Sequence, residues 1–596
     1  MKIGYTNLET TDVRQGGFQS FAAARVRRGS KSRVNSSNAS LILLLVLCQP
    51  IIPRVEGAES KLVKLDTAGR LVMLPWNEQG DRIPDFSYCG YRNGGVKLPD
   101  VPTSVTLEPS GAKDESVRIQ TALDDLGKSL EKTPDGRGAL LLKKGLWKVC
   151  KPLTMSYSGV VLRGEGDGVD GTVLLWSENK EWVPLMLTVA SKDWPSRNTI
   201  QFGKLDQPYV PVGATRFRFK EDAERDAKTP EVKSRIKGLK AGDSVTIFRP
   251  GSPEWVKAIG MDIYNWTKWT NIWSFERKVI SCENGELVFD IPLPQSLDQK
   301  YGGAVILLTP AQYRIRECGI ERIRFDTIFD PSIVKNKGAV DEYPCDERHP
   351  GTAISFNKIE DGWLRDCTAI HMTHGLVGLS GRRVTVQDCK SLDPVSLIAG
   401  ARRYAYTIGG TANLIQRCYS RNGRHDFMTQ GAVSGPNVFV DCSSDSAWDC
   451  SENHQKWAMG TLYDNVRVTG KRAGLCSINR GRWGSGHGWS GNTTVFWNCA
   501  APMIFANQPP LGQNFMIGNS DPKLFDSKWA KGYFRVANSA SKRKDEFVES
   551  PFQGTAWQEY PTKMVTPRSL YYAQLQARLG KTAVENVTTN EQRQKH

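Results

Sequence analysis

At 596 residues, with 39% hydrophobic and 9% aromatic side chains, the chain has ample material for a packed core, which excludes global disorder. Its 79 Lys and Arg outnumber 63 Asp and Glu, and the resulting +16 fits either a solvated basic surface or a polyanionic partner, nucleic acid or acidic polysaccharide. No phosphate-binding glycine loop, nucleophile elbow or helix-turn-helix occurs, so the function classes those motifs carry are unsupported.

Residues 1–39 carry Arg25, Arg27, Arg28, Lys31 and Arg33, and LILLLVLC follows at 41–48. That apolar run is too short to span a bilayer as a mature helix. With Gly57 and Ala58 after it, the pattern predicts a secretory signal over 1–57 with a long basic leader. The expected location is therefore secreted, periplasmic or cell-surface, with no membrane span once the signal is removed. Export makes nucleic acid a poor partner and leaves acidic polysaccharide.

Residues 58–177 form an N-terminal segment. DESVRIQTALDDLGKSL (114–130) is predicted as an amphipathic helix with Val117, Ile119, Leu123, Leu126 and Leu130 near one face and Asp114 as cap. GALLLKKGLWKV (138–149) and GVVLRGEG (159–166) then read as buried strands. A helix there would cap the open edge of a strand array. Residues 178–308 are rich in Trp (182, 194, 255, 266, 269, 273), and GDSVTIFRPG and ENGELVFDIPL alternate like antiparallel strands. They are expected to form a β-rich insertion, with its tryptophans in a core or stacked on sugars.

From 309 to 520 one phrase repeats: RECGIE, RDCTAI, QDCKSL, RCYSR, DCSSD, DNVRV and NCAAP, the later ones each following an apolar strand-like run. Taking Cys367, Cys389, Cys418, Cys442, Asn465 and Cys499 as equivalent gives spacings of 22 to 24 residues with two longer gaps. A period in the low twenties with one small residue at a fixed place predicts a solenoid of about a dozen coils. Cys367, Cys389, Cys418, Cys442 and Cys499 are then an interior ladder, in a geometry poor for bridging. Cys89, Cys150, Cys282, Cys345, Cys450 and Cys476 remain candidates for disulfides, with no pairing derivable. Residues 521–596 close the chain with a helix in TPRSLYYAQLQARLG (566–580) and a polar, frayed tail from 581.

The order of an IQTALDD-type helix, the GALLLKKGLWKV strand pair and the Cys/Asn-laddered coils resembles the pectate lyase/pectin lyase-like superfamily, over most of residues 80–580. SLYYAQLQARLG looks like the end of its secreted bacterial members. The resemblance implies an all-β, right-handed parallel β-helix. It implies much less about activity, because that superfamily holds lyases, hydrolases, esterases and phage adhesins. Members that hydrolyse polygalacturonan carry Asn-x-Asp, Asp-Asp, Gly-His-Gly and Arg-x-Lys, and only Gly486-His487-Gly488 matches here.

Five of seven histidines (371, 374, 425, 454 and 487) fall between residues 371 and 487. His374 and His425 each lie seven residues past a ladder cysteine, with Ser396 and Asp449 at the equivalent places, which puts all four on one outer groove. Eliminative cleavage of a uronic-acid polymer needs a group to neutralise the carboxylate, a base for the C5 proton and an acid for the leaving oxygen. Histidine suits the base and Arg the carboxylate. The stretches RHDFMTQG, ENHQKWAMG and NRGRWGSGHGW nominate His425, His454, Arg482 and His487 as catalytic. They nominate Arg424, Lys456, Trp457, Arg480, Trp483 and Trp489 for substrate binding. No cofactor or metal is expected. His371-x-x-His374 lacks further ligands at a recognised spacing, and calcium, though compatible with Asp441, Asp445 and Asp449, is not indicated by them. The expectation is an exported protein that cleaves an acidic polysaccharide by β-elimination. The alternatives are a glycoside hydrolase using Asp426 with Asp449 or Glu452, and a non-catalytic polysaccharide-binding surface protein. Oligomeric state is not legible.

Overall fold

The computed structural model describes residues 58–519 and 556–594, apart from 134, 193–199, 222–238, 265, 267–272, 309–313, 338–339, 471–472 and 482. The expected signal over 1–57 lies outside the described residues. Successive short strands visit three sheets in turn. Ile359–Arg365 lies in a 13-stranded sheet, Thr368–Ile370 in an 8-stranded one, Gly375–Leu379 in a 6-stranded one, and Arg382–Gln387 returns to the first. The pairing within these sheets is parallel, as in Leu414↔Val438↔Leu462↔Val495↔Phe515. The chain is thus a parallel β-helix.

The repeated phrase is a turn followed by a buried side chain. Asp366, Asp388, Arg417, Asp441, Asn465 and Asn498 all have φ between 50 and 56°. Asp and Asn tolerate this left-handed conformation better than most residues. Each is followed by a residue pointing inward, and the thiols of Cys389, Cys418 and Cys442 donate to carbonyls two residues back at 3.1–3.4 Å. This corrects the sequence alignment by one residue. Register pairs Val440 with Asp464 and Trp497, so the partner of Cys442 and Cys499 is Val466, and Asn465 occupies the turn position. Asp366→Val is expected to lower unfolding free energy by ~1–2 kcal/mol, and Asp366→Gly by less, in urea titrations.

Beside the thiols runs a second interior ladder. Tyr406, Phe427, Phe439, Tyr463 and Phe496 stack with centroids 5.0–5.8 Å apart. The six cysteines named for disulfides are unbridged, like every cysteine among the described residues. Cys450 and Cys476, for instance, sit on adjacent parallel strands with their thiols buried side by side.

The outer face of the 13-stranded sheet is also covered. Phe86, Tyr571, Tyr572 and Leu575, from the two ends of the chain, pack over Leu414, Val438, Leu462 and Val495. Burial on both faces is why NVFV and TVFW read as continuous apolar runs. The helix Ser116–Leu130 buries Ile119, Leu123 and Leu126, whereas Val117 faces solvent at 61% exposure. Asp114 accepts from the Ser116 amide at 2.9 Å. The C-terminal helix Leu570–Leu579 is capped by Ser569 and ends at Gly580. The tail beyond it is helical rather than frayed, through Lys581–Val587 and Asn590–Gln594, because Ala583 and Val584 find apolar cover.

Six strands between Ile200 and Leu308 close into an antiparallel barrel. The preceding strand, Val183–Ala190, pairs in parallel with Pro350–Asn357 and so belongs to the β-helix. Trp255, Trp266 and Trp273 fill the barrel's core, which extends to Trp457 and Trp489 of the coils. The barrel is therefore anchored beside the loops that follow residue 452.

Candidate functional site

The outer face of the 6-stranded sheet is left open as a groove of about 860 Å³. Its floor is a register column, Ser355, Gly378, Thr407 and Met428, of mostly small side chains. His374, Tyr404, Gln430, His454 and Lys456 also line it.

At one end the rings converge. Tyr404 lies 5.7 Å from His374, 5.3 Å from His425 and 5.5 Å from His454, centroid to centroid. His454 in turn lies 5.2 Å from His425 and 5.1 Å from His487. Behind this row is Glu452, whose side chain is 1% exposed. Its Oε1 is 2.8 Å from His454 Nδ1, 2.5 Å from Arg480 Nη1 and 3.3 Å from His425 Nδ1. Arg480 Nη1 also donates to the His454 carbonyl at 2.8 Å.

The charges follow from these contacts. Burial alone would raise the Glu452 carboxyl, but Arg480, His425 and His454 outweigh it and hold the group well below the usual carboxylate range. Burial lowers His454, against the opposing bond to Glu452, so its imidazole is neutral at pH 7. His454 Nδ1 faces both Glu452 Oε1 at 2.8 Å, an acceptor, and Arg480 Nη1 at 2.9 Å, a donor. In the tautomer that gives its Nδ1 proton to the charged oxygen, Nε2 is left as a base. His425 is fully buried, and burial together with Arg424 pushes it well below the usual range. Its Nδ1 donates to Cys450 O at 2.6 Å, and its Nε2 has no hydrogen-bond partner among the described residues. Burial and Arg480 lower His487 to about 3, and burial and Arg402 lower His374 to about 4. Lys456 is lowered by burial. Lys456 and Trp457 have φ of 50° and 60°, two consecutive left-handed non-glycine residues. Such strain concentrates at functional sites.

Of the residues nominated from sequence, His454 and Lys456 face the groove, and His425 and His487 touch the ring row from behind and beside it. Arg480 is committed to Glu452, and Arg424 to Asp449 at 3.0 Å. Arg482 lies outside the described residues. The tryptophans need correction. Trp457 is fully buried, its Nε1 donating to Gln295 Oε1 at 2.7 Å, and Trp489 is 4% exposed, donating to Ile259 O at 2.8 Å. Both anchor the barrel and neither can stack on a ligand. Trp483 is half-buried and lies under the Arg480 guanidinium at 5.1 Å, so it supports that ion pair. The glycines of the GRWGSGHGW loop serve packing. A Cβ on Gly484 would meet His487 Cε1 at 2.1 Å, and one on Gly488 would meet Met261 Sδ at 2.3 Å.

The seven-residue rule holds only in part. His374 lines the groove, but Ser396 is buried and donates to Thr373 O at 2.9 Å, and Asp449 is taken by Arg424. His371 pairs with Asp326 instead. Sequence reasoning missed Tyr404, which lies beyond a loop insertion in a 29-residue gap, and Glu452 as the group that orients His454. A Glu two residues before a His on one strand face was the available signal for the latter.

Ligand atoms of His425, Glu452 and His454 lie within 4.8 Å of one another, the spacing of a metal site. Arg480 Nη1, however, contacts both Glu452 Oε1 and His454 Nδ1, which puts a fixed positive charge where the ion would sit. The residues fit an ion-pair network better than a metal centre. The hydrolytic carboxylates fare no better. Asp426 is fully buried, accepts from Ser420 Oγ at 2.5 Å and is pushed up to about 6 by burial. No Asp or Glu occurs among the described residues lining the groove.

No family model matches the sequence, and no curated protein matches it. Solved structures similar to it include phage tailspikes. They include gp49 of Pseudomonas phage LKA1 (11% identity, TM-score 0.37, covering 68% of this chain and 63% of that one). The tailspike of E. coli bacteriophage HK620, solved with a pentasaccharide, has 10% identity, TM-score 0.30 and coverages of 70% and 54%. Gp54 of Acinetobacter baumannii bacteriophage AP22, solved with a capsular saccharide, has 9% identity, TM-score 0.23 and coverages of 68% and 68%. The chain spans less than two thirds of the length of the first of these. Among the described residues no helix is long and apolar enough to cross a membrane.

Proposed function

We propose that this is an exported enzyme that cleaves a uronic-acid-containing polysaccharide by β-elimination in the groove. The observation that carries the reading is the pairing of an oriented neutral base, His454 on Glu452, with a groove lining that offers Lys456 and no carboxylate. Lys456 neutralises the substrate carboxylate, which acidifies the C5 proton. His454 Nε2 takes that proton, the electron pair forms the C4–C5 double bond, and the C4–O bond breaks. The Tyr404 hydroxyl, which accepts from the Ala401 amide at 3.0 Å and keeps its own proton to give, protonates the leaving oxygen. Arg480 holds Glu452 charged, and through it the His454 tautomer.

The pH dependence follows from the two shifts. A base works deprotonated, and His454 is lowered from the ordinary 6.5, so the acid limb of turnover falls below that value. Lys456 works protonated and is lowered from 10.5, so the alkaline limb comes earlier than for an exposed lysine. Initial rates across pH, followed by ultraviolet absorbance of unsaturated uronate on a panel of uronans, test both limbs. A midpoint of the acid limb above 6.5 would contradict His454 as the base. New reducing ends without that absorbance would replace elimination by hydrolysis.

A further inference from the structure

A second cavity, of about 330 Å³, adjoins the groove and is lined by Cys150, Trp176, Glu178, Trp182 and Pro184 among others. Trp182 is its one exposed aromatic residue, at 51%, whereas Trp176 is 3% exposed. The two cavities share a strand: Val183 and Pro184 line the second, and Leu185 lines the first. Gly351 marks the junction. A Cβ there would meet Pro184 O at 3.0 Å, His374 Cδ2 at 3.1 Å and Trp182 Cζ2 at 3.4 Å. Trp182 and His374 thus flank one point, and the missing side chain keeps the passage between them open.

We infer that Trp182 is a distal saccharide-binding platform, on which a sugar ring of the bound polymer stacks several residues away from the bond that breaks. This rests on the groove being a saccharide site, as proposed above. Exposed tryptophan beside a polar cleft suits the apolar face of a pyranose, with an indole on one side and hydroxyls free on the other. Glu178, paired with Lys180 at 2.9 Å, supplies hydrogen-bonding groups beside it, and Glu181 adds a carboxylate to the same lining. The distance follows from the sheet. Trp182 precedes the strand paired with Pro350–Asn357, and Gly375–Leu379, Tyr406–Ile408, Phe427–Thr429 and the coil of Glu452 follow in order. Five strand spacings bound the separation at about 24 Å. The ring contacts from Trp182 past His374 to Tyr404 and His454 shorten it to under about 20 Å, room for about three sugar residues of ~5 Å each. The enzyme therefore binds a stretch of chain, and Trp182 sets the length of substrate it prefers.

The test compares wild type, Trp182→Ala and Trp182→Phe on uronic-acid oligosaccharides of graded length. Expected is a rise of about tenfold in KM for the longest oligomers in Trp182→Ala. kcat should be unchanged, KM for the shortest oligomers unaffected, and Trp182→Phe should recover part of the loss. Wild-type turnover that rises with chain length identically in Trp182→Ala would overturn the platform and leave the groove assignment standing. A wild type that neither binds nor cleaves any oligomer would overturn the groove assignment and the platform with it. Because Trp182 is exposed, its replacement is not expected to disturb folding, which the thermal midpoint checks.

Discussion

His454→Ala is expected to lower kcat on an acidic polysaccharide by about 10²–10⁴-fold, with KM little changed and thermal unfolding nearly as in wild type. The side chain is 14% exposed at the groove wall, and its removal leaves Glu452 still bound to Arg480, so the ion pair persists. What disappears is the one imidazole that is both oriented by a carboxylate and open to the groove. His425 cannot replace it, being fully buried with Nδ1 committed to Cys450 O. His374 lies across Tyr404 without a carboxylate bond to fix its tautomer, and its Nδ1 has no hydrogen-bond partner among the described residues. Steady-state kinetics together with a melting curve decide the matter. Turnover within threefold or so of wild type would remove His454 from the chemistry.

Glu452→Gln is expected to cost ~3–5 kcal/mol of stability as well as turnover. Arg480 is 5% exposed on its side chain and Glu452 is 1% exposed, so the substitution removes the carboxylate partner of a buried cation. The amide could also turn its NH₂ toward His454 Nδ1, which would reverse the tautomer and put the proton on Nε2, where a base is needed. Chemical denaturation measures the first effect. The double variant Glu452→Gln with Arg480→Met should regain much of the lost stability, because a neutral pair replaces a buried cation that has lost its carboxylate, but it should stay inactive. A single variant as stable as wild type would mean that the network does not hold the site. The carboxyl is also depressed in the fold, so its contribution is present above the ordinary 4.5 and is lost as pH falls through the folded value.

The sequence revealed the coil before it revealed the site, and the reason lies in what repeats. Each coil needs a left-handed turn residue and a small inward one, so Asp388-Cys389 and Asp441-Cys442 stand out at a regular period. Where Val466 replaces the thiol, Asn465 carries the repeated phrase instead, one position early, at the left-handed turn. The strands NVFV and TVFW were legible as buried, but not what buries them. The cover comes from Phe86 and Tyr571, more than 480 residues apart in the chain. At the site, an extended reading puts His454 and Lys456 on one face. In the fold, however, the chain bends at Gln455 and Lys456, Lys456 is left-handed, and Gln455 lines the groove as well. Trp457 broke that reading. Its left-handed backbone turns the ring toward Trp255, 5.1 Å away, in an insertion whose docking no local pattern encodes. Tyr404 was hidden for a related reason: insertions between coils erase the count that would align it with His425.

The central claim is that the groove breaks the polymer by removing the C5 proton. Mass analysis of the products from a uronic-acid oligosaccharide tests it most directly, run with wild type and with His454→Ala. The account predicts that the reducing-side fragment, unsaturated at its new non-reducing end, is lighter by one water than the hydrolytic product, and that it is formed by wild type and nearly absent with His454→Ala. Fragments carrying the full water of hydrolysis, or equal yields from the two proteins, would contradict it.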